Sequence, residues 1–181
     1  MKAVRVELMA SAVGKIGGVT WHHLYLVAAD ASSTQSYLRA GPQCLPLQHI
    51  AGRQSESGGD ALEDYEPSPV GPYGAIAFSS GSYEPGGVDF DPMAANVVLA
   101  SGEAAAKLWD GLENASKALQ AEQVPYEPIG ANANWASMEL LRRCGVQASL
   151  PPKRWAPGAS RIGPAVQSEA VTRRVGQATM I

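Results

Sequence analysis

The chain has 181 residues, 45% of them hydrophobic and 17% charged, with 19 glycines and 13 prolines. That length suits a single domain with one core, and that balance describes a turn-rich globular protein and excludes wholesale disorder. Against 17 acidic side chains stand 14 basic ones, a net charge of −3, so there is no basic footprint for nucleic acid and none is expected as a partner.

The N-terminus, Met1-Lys2-Ala3-Val4-Arg5-Val6-Glu7-Leu8, alternates apolar and charged residues as a half-buried strand does. It lacks the continuous apolar core of a signal peptide, which predicts a protein cytoplasmic as synthesised, with export left to a dedicated secretion system. No stretch approaches the roughly 20 apolar residues that span a bilayer, so no membrane span is expected.

Residues 21–28 form a strongly apolar second strand and residues 35–39 a third, joined as a hairpin across Asp30-Ala31-Ser32-Ser33. Residues 43–72, rich in Gly, Pro, Ser and acidic side chains, read as a long surface loop. Strand character returns at 73–78 and 96–100, completing a small antiparallel sheet.

Ser101 is then placed to cap a helix ending near Glu122, because Leu108, Leu112, Ala115 and Leu119 recur at helical spacing. A second helix begins at Asn132 or Asn134 and ends at Arg143, with Trp135, Met138, Leu141 and Cys144 on its apolar side and Gly145 as its stop. Residues 151–181 carry Pro-Pro, Ala-Pro-Gly and Gly-Pro punctuation and read as an extended segment laid over the domain, with a short helix near 166–175. The predicted class is α+β: one domain over 1–181, a small antiparallel sheet packed with two main helices.

Few residues can carry chemistry. The two cysteines, Cys44 and Cys144, form no CxxC pair, and Cys144 falls at the wrong end of its helix for a reactive thiolate, so both read as structural thiols. His22, His23 and His49 show neither an HxH nor an HExxH spacing, and no metal or other cofactor is expected. His22 and His23 are adjacent on a strand and point to opposite faces, so at most one serves a given site as general base. A partly buried structural histidine is the plainer alternative. Arg39 at a strand end is either solvent-facing or a bidentate anchor for a substrate carboxylate.

Three elements in order, a strand led by His22 and His23, a strand ending in Arg39-Ala40-Gly41-Pro42, and the helix start Asn132-Ala133-Asn134, together resemble the circularly permuted papain-like amidohydrolases. These are permuted relatives of the NlpC-type peptidases, a superfamily that includes the lecithin retinol acyltransferase-like enzymes. The resemblance covers residues 21–42 and 126–145. It implies a cysteine or serine nucleophile directly after an Asn at the helix N-terminus, where the dipole and free N–H groups favour a thiolate or an oxyanion.

Carried across, the nucleophile position is Ala133, which has no nucleophilic atom. The base is His23, with His22 as the alternative, and Gln35 is the candidate third residue that orients the imidazole. Asn132, Asn134 and the helix N–H groups are the implied oxyanion donors, with Arg39 and Trp135 on the substrate side.

The implied activity is hydrolysis of peptide or other amide bonds, such as those of peptidoglycan, by a bacterial effector with an immunity-type or secretion partner, its nucleophile replaced or naturally lost in this chain. Two rivals from other classes are a non-catalytic module that binds a peptide, lipid or protein, and a structural protein of a phage or secretion apparatus.

Overall fold

The computed structural model of the chain describes residues 2–43, 71–87 and 90–160. Most of the 43–72 loop, Cys44, His49 and the 166–175 helix expected from the sequence lie outside the described residues.

Strand β1 (Ala3–Ile16) turns into β2 (Val19–Asp30) through Gly17 and Gly18, whose φ values of 56° and 82° are the left-handed pair that a two-residue hairpin turn requires. The Asp30 carboxylate organises the next turn, accepting from Ser32 N, Ser32 Oγ and Thr34 N, and hands the chain to β3 (Gln35–Pro42). Strand β4 (Ile76–Ser82) pairs with β3, while β5 (Ala95–Ser101) lies at the opposite edge against β1. The order is β4-β3-β2-β1-β5 with every neighbouring pair antiparallel.

Helices α1 (Glu103–Ala121) and α2 (Ala133–Arg143) cover one face of the sheet, α1 against β1 and α2 against β2 and β3. The protein is therefore of the α+β class. Because side chains alternate along a strand, Val6 and Leu8, Leu24 and Leu26, and Leu38 enter the core between sheet and helices, where Leu112, Leu119, Leu140 and Leu141 meet them. The reverse face carries a smaller cluster of Met9, Tyr25, Val27 and Tyr83. Burial pushes the Tyr25 phenol well above its ordinary range; Ser11 opposes this and Tyr83 reinforces it. Among the described residues no helix is long and apolar enough to cross a membrane.

Helix α1 starts differently from the expectation. Ser101 is the last residue of β5, paired with Arg5, and the N-cap is Gly102 with φ 63° and no side-chain cap. Gly102 donates its N–H to Val4 O (2.8 Å), so the chain turns from strand to helix within one residue, in a conformation that glycine adopts without penalty.

Helix α2 follows the reading closely. Asn132 caps it, accepting from Asn134 N and Trp135 N. At its other end Gly145 (φ 73°) lets Gly145 N reach Arg142 O and Val146 N reach Leu141 O, a Schellman closure.

Within α2, Glu139 is 7% exposed and accepts from Arg142 and Arg143; Arg143 also binds Glu122 beyond the end of α1. Burial raises the Glu139 carboxyl, yet the two guanidinium groups outweigh it and hold the pKa below the ordinary 4.5. A depressed carboxyl stabilises the fold above its unfolded pKa, and that stabilisation is lost as pH falls through the folded value. Glu139→Gln is therefore expected to cost about 2 kcal/mol at neutral pH. The gap from the parent protein should narrow as pH drops below about 4.5, as thermal melts across pH 3–7 will read.

Candidate functional site: a cleft where two strands part

Strands β2 and β3 pair only from Ala29↔Gln35 to Leu26↔Leu38. Beyond Leu38, β3 stays with β4 as far as Pro42, and beyond Leu26 β2 stays with β1. The strands diverge, and a cleft of about 450 Å³ opens between them, bounded by His22 and His23 on one side, by residues 39–42 on the other, and by Asn132, Ala133 and Asn134 of α2.

Leaving β3 exposes the hydrogen-bonding edge of β2, whose N–H and C=O groups must find other partners. Asn134 supplies two: its Oδ1 accepts from Leu24 N (2.7 Å) and its Nδ2 donates to His22 O (3.0 Å). One turn of helix further on, Ser137 Oγ donates to Leu24 O and to Ala133 O (3.0 Å each). The C-terminal segment supplies another, since Trp155 forms a parallel bridge with Trp21 and its carbonyl accepts from His22 N (2.9 Å). Side-chain amide, hydroxyl and strap backbone thus replace the missing strand, which joins the first turn of α2 to β2 across 110 positions of sequence.

The two histidines are separated by strand alternation. His22, 6% exposed, shares its face of β2 with Leu24 and Leu26 and lies on the side that α2 covers. Its Nδ1 lies 3.2 Å from the Trp155 carbonyl oxygen. His23 belongs to the reverse face, its ring centroid 6.3 Å from that of Tyr25. Both rings line the cleft, His22 from the side that the helices cover and His23 from the reverse face, because the helices pack on the even-numbered face of β2.

Four expectations change. Both amide hydrogens of Asn132 are engaged, with Pro128 O and Pro157 O, and both of Asn134, with His22 O and Pro157 O. Since an Asn amide has two donors, these side chains build the site and have none left for an oxyanion. Gln35 stands at the far end of β3, paired with Ala29, beside a separate depression lined by Thr34 and Tyr83. It cannot orient His22. Trp135 is 4% exposed within the main core and does not line the cleft.

Arg39 does line the cleft, opposite Ser79 of β4. Ala133, 5% exposed, lines it too, with its backbone N–H facing the hydroxyl of Tyr126. Burial raises the Tyr126 phenol above its ordinary value of 10; the Ala133 N–H opposes the rise, Tyr73 adds to it, and the Arg39 charge opposes it.

Tyr126 is a cleft residue for which the sequence suggested no chemical role. It is brought to the helix start by a tight loop in which Glu127 N bonds Ala131 O and Gly130 N bonds Glu127 O, and its backbone N–H bonds Gly74 O. The only local signal was its place at the head of a Pro- and Gly-bearing turn before the capped helix.

The chemistry available is that of an apolar-walled cleft, with Trp21, Phe78 and Tyr126, that brings an imidazole, a guanidinium and a phenol near one helix N-terminus. Among the described residues no three His, Cys, Asp or Glu side chains cluster as a metal ion needs. Comparison with family models, with curated proteins and with solved structures finds no match.

Proposed function

We propose that the chain is an amidohydrolase scaffold of the circularly permuted papain-like kind, whose cleft receives a peptide or other amide-bearing ligand at a helix N-terminus that lacks a nucleophile. The carrying observation is that Asn134 ties the first turn of α2 to the backbone of His22, so that residue 133 and a buried imidazole line the same cleft.

In the parent chemistry a thiol or hydroxyl at position 133 would lose its proton to His22 Nε2 and attack the amide carbon. The imidazolium would return that proton to the departing amine. Ala133 halts the sequence at binding. Peptidoglycan peptides, a bacterial effector role and an immunity-type partner are what the resemblance implies for such a scaffold, and they stand as part of the proposal.

A second reading, a module that binds without turnover, is favoured by the full engagement of the Asn132 and Asn134 amides, which leaves transition-state stabilisation to backbone and Tyr126 alone.

The test is to install the nucleophile. Ala133→Cys and Ala133→Ser are assayed on a panel of amides and esters, and Ala133→Cys is treated with an electrophilic probe whose site is mapped by peptide analysis. Modification at position 133 that is suppressed by adding His22→Ala supports the hydrolase scaffold. A folded Ala133→Cys protein that reacts no faster than Cys144 overturns it and leaves the binding module.

A further inference from the structure

We infer that the backbone carbonyl of Trp155 orients the His22 imidazole, which makes the C-terminal strap over residues 155–158 a positioning element of the site. For its functional meaning the inference rests on His22 being the base, although the orientation itself can be measured without any reaction.

A carbonyl oxygen only accepts hydrogen bonds, so the 3.2 Å contact with His22 Nδ1 requires a proton on Nδ1 and leaves the lone pair of the neutral ring on Nε2. Fixing that tautomer is what the third residue of a histidine-based site does, and a wrong tautomer disables the base. The role expected of a polar side chain on the following strand is here met by main chain arriving from far along the sequence.

The strap is held well enough for the task. The Trp155 carbonyl also accepts from His22 N (2.9 Å), and the Pro157 carbonyl accepts from Asn132 Nδ2 and Asn134 Nδ2 (3.0 Å each). Ala156 between them is 5% exposed. Gly158, with φ +86°, lies so close to the Asn132 amide that an added Cβ would stand 2.5 Å from its Oδ1. The same two Asn residues that shape the helix start therefore seat the strap. The contact with His22 is made by the Trp155 carbonyl, and the residue as a whole is 47% exposed.

Long-range proton–nitrogen correlation spectra of the full chain read the tautomer directly, with His22 assigned by its loss in His22→Gln. The expected wild-type signal is the Nδ1–H form, opposite to the Nε2–H preference of free histidine. Gly158→Ala, which forces the strap off the Asn132 amide, is expected to shift His22 toward Nε2–H. In an Ala133→Cys background it should slow labelling ~10-fold or more. Trp155→Ala keeps the carbonyl and should keep the Nδ1–H form.

An Nε2–H ring in the wild type overturns the inference even if Gly158→Ala fails to fold. So does an unshifted ring in a folded Gly158→Ala protein, or a shift produced by Trp155→Ala alone. An Nδ1–H His22 beside an unreactive Ala133→Cys removes the hydrolase reading and leaves the positioning contact intact; a reactive Ala133→Cys with an Nε2–H ring does the reverse.

Discussion

Asn134→Ala is expected to lower the free energy of unfolding by about 3–4 kcal/mol, the largest loss for any single polar side chain of the site. Asn134 is 5% exposed, and its amide satisfies Leu24 N, His22 O and Pro157 O at 2.7–3.0 Å. Truncation leaves a buried donor, Leu24 N, and a buried acceptor, His22 O, each costing roughly 1–3 kcal/mol where water cannot reach it, while Pro157 O keeps its bond from Asn132 Nδ2 and loses one of two donors. The cleft admits water to part of this edge, which keeps the total below the sum.

Asn134→Asp is no rescue: it retains an acceptor for Leu24 N but turns a second oxygen, and a charge, toward two carbonyls. Ser137→Ala should cost only about 1 kcal/mol, because its hydroxyl donates one shared hydrogen and Ala133 O is otherwise a helix carbonyl. Urea unfolding followed by tryptophan fluorescence separates these cases. A loss under about 1 kcal/mol for Asn134→Ala would show that β2 does not depend on this amide.

The second large effect is kinetic. In the Ala133→Cys protein, the thiol sits at the first position of α2, where the positive end of the helix and an adjacent imidazole favour the thiolate. An ordinary thiol near pKa 8.5 is about 3% ionised at pH 7; bringing it to about 6.5 makes most of it reactive, a gain of roughly 25-fold in thiolate. Cys144 provides the internal standard, because burial pushes its thiol up and away from reactivity. Adding His22→Ala should slow modification at position 133 by roughly 10-fold and by no more than about 25-fold, the whole of that thiolate gain. Equal rates with and without His22 would remove the imidazole from the mechanism. The Tyr126 hydroxyl, already at the Ala133 N–H, is the group best placed to donate to a developing oxyanion there.

The histidine assignment shows where sequence reasoning stops. Period-2 alternation establishes that His22 and His23 diverge, but the face that becomes the helix side depends on where α1 and α2 pack, a decision taken by residues such as Leu112 and Leu141 that lie far along the chain. The oxyanion assignment fails for a related reason. An Asn at a helix start looks like a free donor until the carbonyls of His22, Pro128 and Pro157 are placed around it, and of these only Pro128 is close in sequence. Ser101 as a cap fails because pairing of β5 with β1 extends one residue further than the helical pattern implies.

What the chain encodes locally came through. Alternation marked the start of β1, strand-like runs marked the middle of β2, β5 and the first residues of β4, the spacing of Leu108, Leu112 and Leu119 marked α1, and Asn132 with Gly145 marked both ends of α2, because these signals are set within one or two turns of backbone. The α+β class follows from them. Tertiary structure alone decided that β2 and β3 part after Leu26↔Leu38, that Asn134 and the 155–158 strap complete the abandoned edge, and that His22 is the imidazole so enclosed. Those outcomes depend on unpaired backbone groups finding partners more than 100 residues away in sequence, and a buried N–H donates to whichever acceptor the packing delivers.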